Sequence, residues 1–221
     1  MKIIARIYTE FDEKFGIPRQ SGIVKETVGR IVFEPEYRNP EAFRGIKGYS
    51  HLWLIWQFSE AVRDVWSPTV RPPRLGGNKR MGVFATRSPY RPNPIGLSSV
   101  RLINVERTEN EGTVLIVGGA DLLSGTPIYD VKPYLAYTDS HPNAIGGFAD
   151  DVIGYKIEVE LKDNVSKKLT KEECKKLTAI LEQDPRPSYK ADDERSYGMK
   201  FEGKEVTFKY ENGKLIVTNI D

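Results

Sequence analysis

Short β-strand patterns, separated by glycine and proline turns, occupy most of the chain up to residue 161 and leave little room for helices. Runs rich in valine, isoleucine and aromatic residues are typical of strands. They cover residues 2–8, 23–33, 49–58, 95–105, 113–117, 127–136 and 152–161. The aromatic run at 49–58 predicts a strand that is buried on both faces. Many short strands with almost no helix indicate a barrel or a sandwich.

A helix and a hairpin are predicted in the remaining residues. Thr170 and Glu173 have the spacing of a capping box, in which each side chain accepts a hydrogen bond from the other residue's backbone N–H. The helix that follows has one apolar face, made of Cys174, Leu177, Ile180 and Leu181. Farther on, Asn212-Gly213 lies between two apolar runs and predicts a type I′ turn, which needs positive φ at both positions.

A length of 221 residues allows one large domain, or one domain with a small addition. We therefore predict a mainly β protein, with an antiparallel β-barrel at residues 1–161 and a small α+β domain at 162–221. One cysteine and two histidines exclude an intrachain disulfide and make a metal site unexpected. No run approaches the ~20 apolar residues of a membrane-spanning helix. The N-terminus lacks the pattern of a signal peptide, so we expect a cytoplasmic protein without a membrane partner.

Positive charge is concentrated in one segment although the net charge is only +2. Residues 65–105 contain no carboxylate and seven cations, namely Arg71, Arg74, Lys79, Arg80, Arg87, Arg91 and Arg101. Such a basic tract inside a near-neutral chain is typical of a surface that contacts phosphates. The alternative is a solvated face whose counter-charges come from distant segments. Within the tract, the residues that we expect to bind RNA are Arg74, Lys79, Arg80 and Arg91.

The common catalytic patterns are missing. There is no Gly-x-Ser-x-Gly sequence, and the two histidines lie in an apolar run (His51) and in a loop of proline, asparagine and glycine (His141). Gly77 and Gly82 have the spacing of a phosphate-binding loop, but no lysine follows them. The glycines at 118–119 come before another glycine-proline segment rather than a helix, which excludes a Rossmann-type dinucleotide site.

Three loops are instead rich in residues that bind ligands, at 18–22, 71–96 and 121–127. Prolines limit the entropy that such loops lose on ordering, and glycines allow a ligand to approach the backbone. Arginines offer paired donors to a carboxylate or a phosphate. The second loop belongs to the six-proline segment 67–94, and loops of that length are usually functional. Ordinary connections between barrel strands are the alternative.

These segments also carry a family resemblance. Residues 48–54, 68–77 and 82–96, together with 183–189 near the end of the chain, resemble the TsaA-like (TrmO) family. The resemblance implies an antiparallel barrel that binds S-adenosylmethionine, a homodimer, and methyl transfer to transfer RNA. The acceptor in that family is N6 of N6-threonylcarbamoyladenosine, the nucleoside immediately 3′ of the anticodon.

Carried over position by position, the resemblance implies a set of S-adenosylmethionine contacts. They are Pro18, Arg19, Gln20, Ser59, Glu60, Arg87, Leu97, Ser124, Gly125, Thr126 and Pro127. The sequence departs from the family at Ser59-Glu60, where bacterial members tend to have His-Gln, and at Ser124, where they tend to have aspartate. These departures affect the polar contacts of the pocket and bear on substrate preference.

An acylated exocyclic nitrogen is a weak nucleophile and needs help to lose its proton. The candidates for this role, or for orienting the base, are Asp130, Lys132, Tyr134 and Tyr189, and the sequence does not rank them. Two other functions remain open: a non-catalytic S-adenosylmethionine sensor or interaction protein, and a methyltransferase for another substrate. The basic tract and the segment 183–189 favour the RNA enzyme, because neither is needed merely to hold the cofactor.

Overall fold

The computed structural model describes residues 1–75, 79–186 and 195–221, without the side chain of Arg74. The predicted catalytic residue Tyr189 lies outside these residues. The strands are β1 (Ala5–Thr9), β2 (Val28–Phe33), β3 (His51–Gln57), β4 (Thr69–Val70), β5 (Met81–Gly82), β6 (Ile95–Thr108), β7 (Gly112–Gly118), β8 (Thr126–Pro133), β9 (Glu158–Leu161), β10 (Ser196–Phe201), β11 (Lys204–Glu211) and β12 (Lys214–Ile220). The α-helices are α1 (Ala136–Asp139), α2 (Asp163–Ser166) and α3 (Lys171–Leu181). Short 3₁₀ helices occupy several of the connections.

Six strands close into a barrel in the order β1-β2-β7-β6-β3-β8, and every neighbouring pair is antiparallel. Aliphatic side chains that point inward fill its interior, including Ile7, Ile31, Leu54, Leu115 and Ile128, all without exposed surface. The predicted fold class, an antiparallel β-barrel followed by an α+β unit, is confirmed. Alternate residues of a strand face opposite sides, so a closed barrel needs only one apolar face from each strand.

Strand β3 is buried on one face, and the prediction of two buried faces is wrong. Leu52, Leu54 and Trp56 point into the core, while the alternate residues from His51 to Gln57 are half-buried. The aromatic run suggested two buried faces because Trp53 is apolar, but Trp53 lies on the outer, half-buried face. That face is partly covered by Tyr134, whose ring centroid lies 5.5 Å from that of Trp53.

A second, four-stranded sheet has the order β10-β11-β12-β9. The hairpin between β11 and β12 turns at Asn212 and Gly213, whose φ angles of 52° and 85° are both positive, as predicted. Helix α3 begins at the predicted capping box, since the Thr170 side chain accepts from the Glu173 N–H and the Glu173 carboxylate accepts from the Thr170 N–H. Leu177, Ile180 and Leu181 of its apolar face are buried with the inner face of the sheet in one cluster, while Cys174 is half-buried.

The strand that we expected within residues 152–161 belongs to the second sheet, not to the barrel. β9 pairs in parallel with β12, with Glu158 opposite Lys214 and Leu161 opposite Val217. Gly147–Val152 forms a 3₁₀ helix, so Val152 does not begin a strand. The assignment failed because an alternating pattern shows that a strand exists but not which sheet it joins.

The connection between β1 and β2 packs against the second sheet. Phe11 and Val24, 2% and 1% exposed, belong to the hydrophobic cluster of α3 and β10–β12, and Phe15 and Ile17 pack against it. The loop that carries residues 18–22 is therefore held between the barrel and the second unit. Over the described ranges, no helix has both the length and the apolar character needed to cross a membrane.

Candidate active site

A cavity of about 630 Å³ opens where β3 ends and β6 begins. Parts of all three predicted loops line it: residues 17–21, residues 86–91 apart from Ser88, and Asp121, Leu123 and Thr126. The outer faces of β3 and β6 contribute Trp53, Gln57, Leu97 and Ser99. Ligand sites in proteins have volumes of ~300–1,000 Å³ and combine apolar walls with a few polar groups. The cavity has both properties.

The long second loop is fixed by its own backbone and by one arginine. β4 pairs with β5, and the Val83 N–H donates to the Pro68 carbonyl at 2.9 Å. Arg91 donates to the carbonyls of Val83 and Thr86 at 3.1 and 2.7 Å. Its guanidinium therefore holds the loop together at the cavity wall, in addition to any contact with RNA.

The first and second loops meet across the cavity. Arg87, which is exposed, donates to the side-chain oxygen of Gln20, and Gln20 in turn donates to the Arg19 carbonyl. A third contact joins Lys14 to Glu60, whose carboxylate lies 3.0 Å from the ammonium. These contacts bring Arg87, Gln20 and Glu60 together at the opening of the cavity. A guanidinium, an amide and a carboxylate complement a ligand that carries a negative and a positive charge.

Asp121 is a site residue that the sequence reasoning missed. It lines the cavity, and its Oδ1 accepts from the Ser98 hydroxyl at 2.7 Å. Since the Trp56 indole N–H can only donate, its 3.0 Å bond to Ser98 Oγ fixes the direction of the chain from Trp56 through Ser98 to Asp121. Burial is the largest influence on the pKa of Asp121 and raises it, against the hydrogen bonds from Ser98 and the backbone. The position of Asp121 in a ligand-rich loop was the available signal, but its partners are distant in sequence.

The structure brings together most of the predicted S-adenosylmethionine contacts. Those that line the cavity are Pro18, Arg19, Gln20, Ser59, Glu60, Arg87, Leu97 and Thr126. Ser124, Gly125 and Pro127 are not among the lining residues. The N–H groups of Ser124 and Gly125 donate to the carbonyls of Phe11 and Ile7, each at 2.8 Å, so this turn closes onto β1 and the chain that follows it.

Three of the predicted catalytic residues, on β8 and directly after it, lie beside the cavity rather than in its wall. Asp130 and Lys132 form an ion pair of 2.8 Å, and Lys132 faces Trp53 in the strand register. The hydrogen bond and the charge of Asp130 raise the pKa of Lys132. Tyr134 contacts the ring of Trp53, which does line the cavity. Trp53, a second residue that the sequence reasoning missed, lies between the cavity and its neighbours Lys132 and Tyr134.

The structure describes the side chains of three of the four cations that we expect to bind RNA. Lys79 and Arg80 are exposed, and Arg80 donates to the Thr69 hydroxyl at 2.9 Å. Arg91 is bonded to the carbonyls of Val83 and Thr86, and the side chain of Arg74 is outside the described part of the structure. In the parts of the chain that the structure covers, no three His, Cys, Asp or Glu side chains come close enough to hold a metal ion.

A closed antiparallel barrel with a charged, aromatic cavity at one end and a small sheet packed on its loops defines the class of protein: a β-barrel ligand-binding protein. Two family models identify it further. "tRNA-methyltransferase O N-terminal domain" matches residues 6–140, and "TrmO C-terminal domain" matches residues 154–221. The chain belongs to the TrmO family.

Relatives agree with this assignment. A tRNA (adenine(37)-N6)-methyltransferase of Escherichia coli K12 is 42% identical over 197 residues, which cover 86% of this chain and 83% of the relative. A protein of the same name from Eikenella corrodens is 46% identical, over 76% of this chain and 95% of its own length. The crystal structure of TrmO from Pseudomonas aeruginosa superposes with a TM-score of 0.80 at 32% identity, covering 99% of this chain and 94% of that one. The names of other relatives refer to S-adenosylmethionine-dependent methyl transfer or to S-adenosylmethionine binding.

Proposed function

We propose that this protein transfers a methyl group from S-adenosylmethionine to N6 of the adenosine at position 37 of transfer RNA. One observation carries the proposal: three loops that are far apart in sequence line the same cavity. The chain that forms this cavity belongs to the TrmO family. The acceptor that we propose is the N6-threonylcarbamoyl form of that adenosine. The protein has no need to activate the methyl donor itself, so its task is to position two substrates.

The donors and acceptors of the cavity fit S-adenosylmethionine. When bound, this molecule supplies an electrophilic methyl group on a positively charged sulfur. Arg87 and Gln20 suit its carboxylate, and the carboxylate of Glu60 suits its ammonium. Aromatic walls of the kind that Trp53 provides suit both a flat base and a sulfonium cation.

Asp121 is the residue that we propose as the proton acceptor for the target N–H. A carboxylate whose pKa is raised by burial is a stronger base than an exposed one, and Ser98 leaves part of its acceptor capacity open. Glu60, the other cavity carboxylate among the described residues, is already paired with Lys14. The Asp121 carboxylate would take the proton at Oδ2 while Oδ1 keeps the bond from Ser98.

Lys132 and Tyr134 suit an orienting role better. Lys132 stays protonated because Asp130 raises its pKa, and an ammonium cannot accept a proton. Tyr134 packs on Trp53, so we propose that it supports the wall against which the acceptor base lies. Tyr189 remains a predicted candidate for assisting proton loss or for orienting the base.

Mass spectrometry of transfer-RNA nucleosides after incubation with the protein and isotopically labelled S-adenosylmethionine tests the function. We expect a labelled methyl group on the adenosine at position 37, present only in RNA that carries the threonylcarbamoyl group. Unmodified RNA serves as the matched substrate control. Label at another nucleoside, or none at any, would refute the proposal.

Asp121→Asn separates proton transfer from binding. We expect kcat to fall by ~10²–10⁴-fold, the usual range for a general base, while calorimetry gives a Kd for S-adenosylmethionine within a few-fold of wild type. The opposite pattern, an unchanged kcat with a much weaker Kd, would make Asp121 a binding residue instead.

Three further parts complete the proposal, and only the first of them rests on the family resemblance. We propose a homodimer, which is consistent with the exposed apolar residues Tyr137, Ile145 and Ile153 in the connection between β8 and β9. We propose a cytoplasmic location and a domain division that falls before β9 instead of at residue 161. Light scattering of the purified protein tests the first of these, with a monomer as the contrary result.

A further inference from the structure

Three aromatic side chains stand exposed beside the mouth of the cavity, on the segment between β3 and β6. Phe84 is 71% exposed, Trp66 47% and Tyr90 41%. The ring centroids of Trp66 and Phe84 lie 6.0 Å apart, and Tyr90 lines the cavity itself. We call Trp66, Phe84 and Tyr90 the aromatic rim. Clustered exposed aromatic residues are typical of an interaction surface.

The backbone below the rim is fixed. Val83 is 1% exposed, and its carbonyl accepts from the Thr86 hydroxyl at 2.9 Å. Its N–H donates to the Pro68 carbonyl. Because Val83 is anchored in this way, its neighbour Phe84 is held outward on a 3₁₀ helix. A ring presented on an ordered backbone loses little conformational freedom when it binds.

Guanidinium groups accompany the rings. The Arg63 Cζ atom lies 3.9 Å from the ring centroid of Tyr90, and the Arg91 Cζ atom lies 5.7 Å from that of Phe84. No carboxylate occurs in residues 65–105. Aromatic faces combined with guanidinium groups are the pattern that binds unpaired bases and their phosphates. An apolar protein partner would offer nothing that complements this positive charge.

We propose that the aromatic rim stacks on the unpaired loop bases that flank the target nucleoside, while the adjacent arginines contact the phosphates of those nucleotides. The inference rests on the proposed function. A target base that enters the cavity leaves the base stack, and its neighbours in the loop then lose a stacking partner. The rim lies where it can replace that partner, because Tyr90 belongs to both the rim and the cavity wall.

Fluorescence anisotropy tests the rim, with an RNA hairpin that contains the anticodon stem and loop and carries the threonylcarbamoyl group on the target adenosine. Phe84→Ala should weaken binding by about 5- to 150-fold, the equivalent of the ~1–3 kcal/mol measured for one base stacked on an aromatic ring. Phe84→Trp should bind like wild type, and Phe84→Leu should bind like the alanine variant, since leucine keeps apolar area but has no π face. Tyr8→Ala is the matched control. Tyr8 is also exposed, at 45%, but lies on β1 away from the cavity wall, and its removal should change nothing.

Hairpins with an abasic residue on either side of the target complete the test. Removal of a stacked base should weaken binding to wild type but not to Phe84→Ala. Equal losses in both proteins, or wild-type affinity in the alanine and leucine variants, would overturn the proposal. If Phe84→Ala converts a dimer into a monomer, the rim is covered by a second copy of the chain and the proposal is likewise wrong.

The failure of the proposed function gives a different result. In that case wild-type protein neither binds the hairpin nor methylates it, whatever residue stands at position 84. Methylation by wild type combined with unaffected binding by the variants refutes the rim alone. Calorimetry with S-adenosylmethionine, without RNA, should give the same Kd for wild type and Phe84→Ala, because Phe84 does not line the cavity.

Discussion

Gly96 faces the indole of Trp56 across the β3–β6 pair, and we expect Gly96→Ala to be strongly destabilising. A Cβ built on Gly96 would lie 2.2, 2.4 and 2.6 Å from the Cε2, Cζ2 and Cδ2 atoms of Trp56. Ordinary van der Waals contact begins at 3.4 Å, so the ring has to move by about 1.2 Å, the difference between 3.4 and 2.2 Å. The sequence suggested that the loop glycines admit a ligand; at position 96 the space is already taken by Trp56.

The environment of Trp56 resists this movement. The side chain is 6% exposed, its centroid lies 4.2 Å from that of Phe58, and its N–H donates to Ser98 at 3.0 Å. Overpacking a core costs ~1–3 kcal/mol, and leaving a buried donor without its partner costs a further ~1–3 kcal/mol. We therefore expect the free energy of unfolding to fall by ~2–6 kcal/mol. At ~2–4 °C per kcal/mol for a chain of this size, the Tm should fall by roughly 4–24 °C.

Scanning calorimetry measures this change, with Gly198→Ala as the control. Gly198 also lies in a strand, but its φ is not positive and a Cβ there meets nothing within 4 Å. That variant should be neutral or more stable by ~0.4–1 kcal/mol. The reasoning is refuted if Gly96→Ala melts within about 2 °C of wild type. A smaller ring should relieve the clash, so Gly96→Ala should cost less in a Trp56→Phe background.

Three more results follow from the structure. Arg87→Ala should keep its Tm within a few degrees, because the side chain is exposed. It should weaken S-adenosylmethionine binding by about 10- to 150-fold, which corresponds to the loss of a charged hydrogen bond at ~1.5–3 kcal/mol. An unchanged Kd in calorimetry would place the cofactor elsewhere. The hydrogen bond from Lys204 lowers the pKa of Glu173 to about 2, so its contribution to stability is complete above the unfolded value of 4.5 and is lost as the pH falls toward 2. The Tm gap between wild type and Glu173→Gln should narrow over that range, and a gap that is as wide near pH 2 as at neutral pH contradicts the ion pair. Transfer-RNA affinity should fall with salt, and Lys79→Ala should reduce the slope of log K against log salt by about one; an affinity independent of salt would exclude the basic tract from RNA binding.

Local rules determined which parts of the fold were predictable. The capping box at Thr170 and the turn at Asn212-Gly213 depend on residues within four positions of each other, and both form as expected. The partner of β9 depends on β12, more than fifty residues later in the sequence, and no local pattern carries that information. The sequence also did not show which face of β3 is buried, because a tryptophan lies on each face: Trp56 on the inner one and Trp53 on the outer one.

The candidate site was predictable in its chain segments but not in its geometry. Loops rich in proline, glycine and arginine indicate binding wherever they occur, and all three contribute to one cavity. Asp121 gains its altered pKa from burial and its hydrogen bond from Ser98, which lies on another strand. Arg91 was expected to face RNA, yet two bonds to loop carbonyls also occupy it. Composition cannot separate these two uses of an arginine.

The second unit also contributes to the site, since it supports the loop that carries Pro18–Gln20. Gly16, with φ at +91°, packs so closely on Met199 that a Cβ would lie 2.6 Å from its Cε. Arg19 donates to the carbonyl of Asp184 at 3.3 Å.

Asp184 itself has a positive φ of 48°, which for a residue other than glycine needs support from its surroundings. That support comes from Arg186, which pairs with both carboxylate oxygens of Asp184 at 2.8 and 2.9 Å and lies 3.9 Å from the ring centroid of Tyr210. The Asp-Pro-Arg segment therefore contacts Arg19, a residue of the cavity wall, through the carbonyl of Asp184, and the pairing of Arg186 with Asp184 supports this turn. Deleting the chain from Asp163 onward would remove this carbonyl and expose Phe11 and Val24, so such a truncation should weaken cofactor binding as well as methyl transfer.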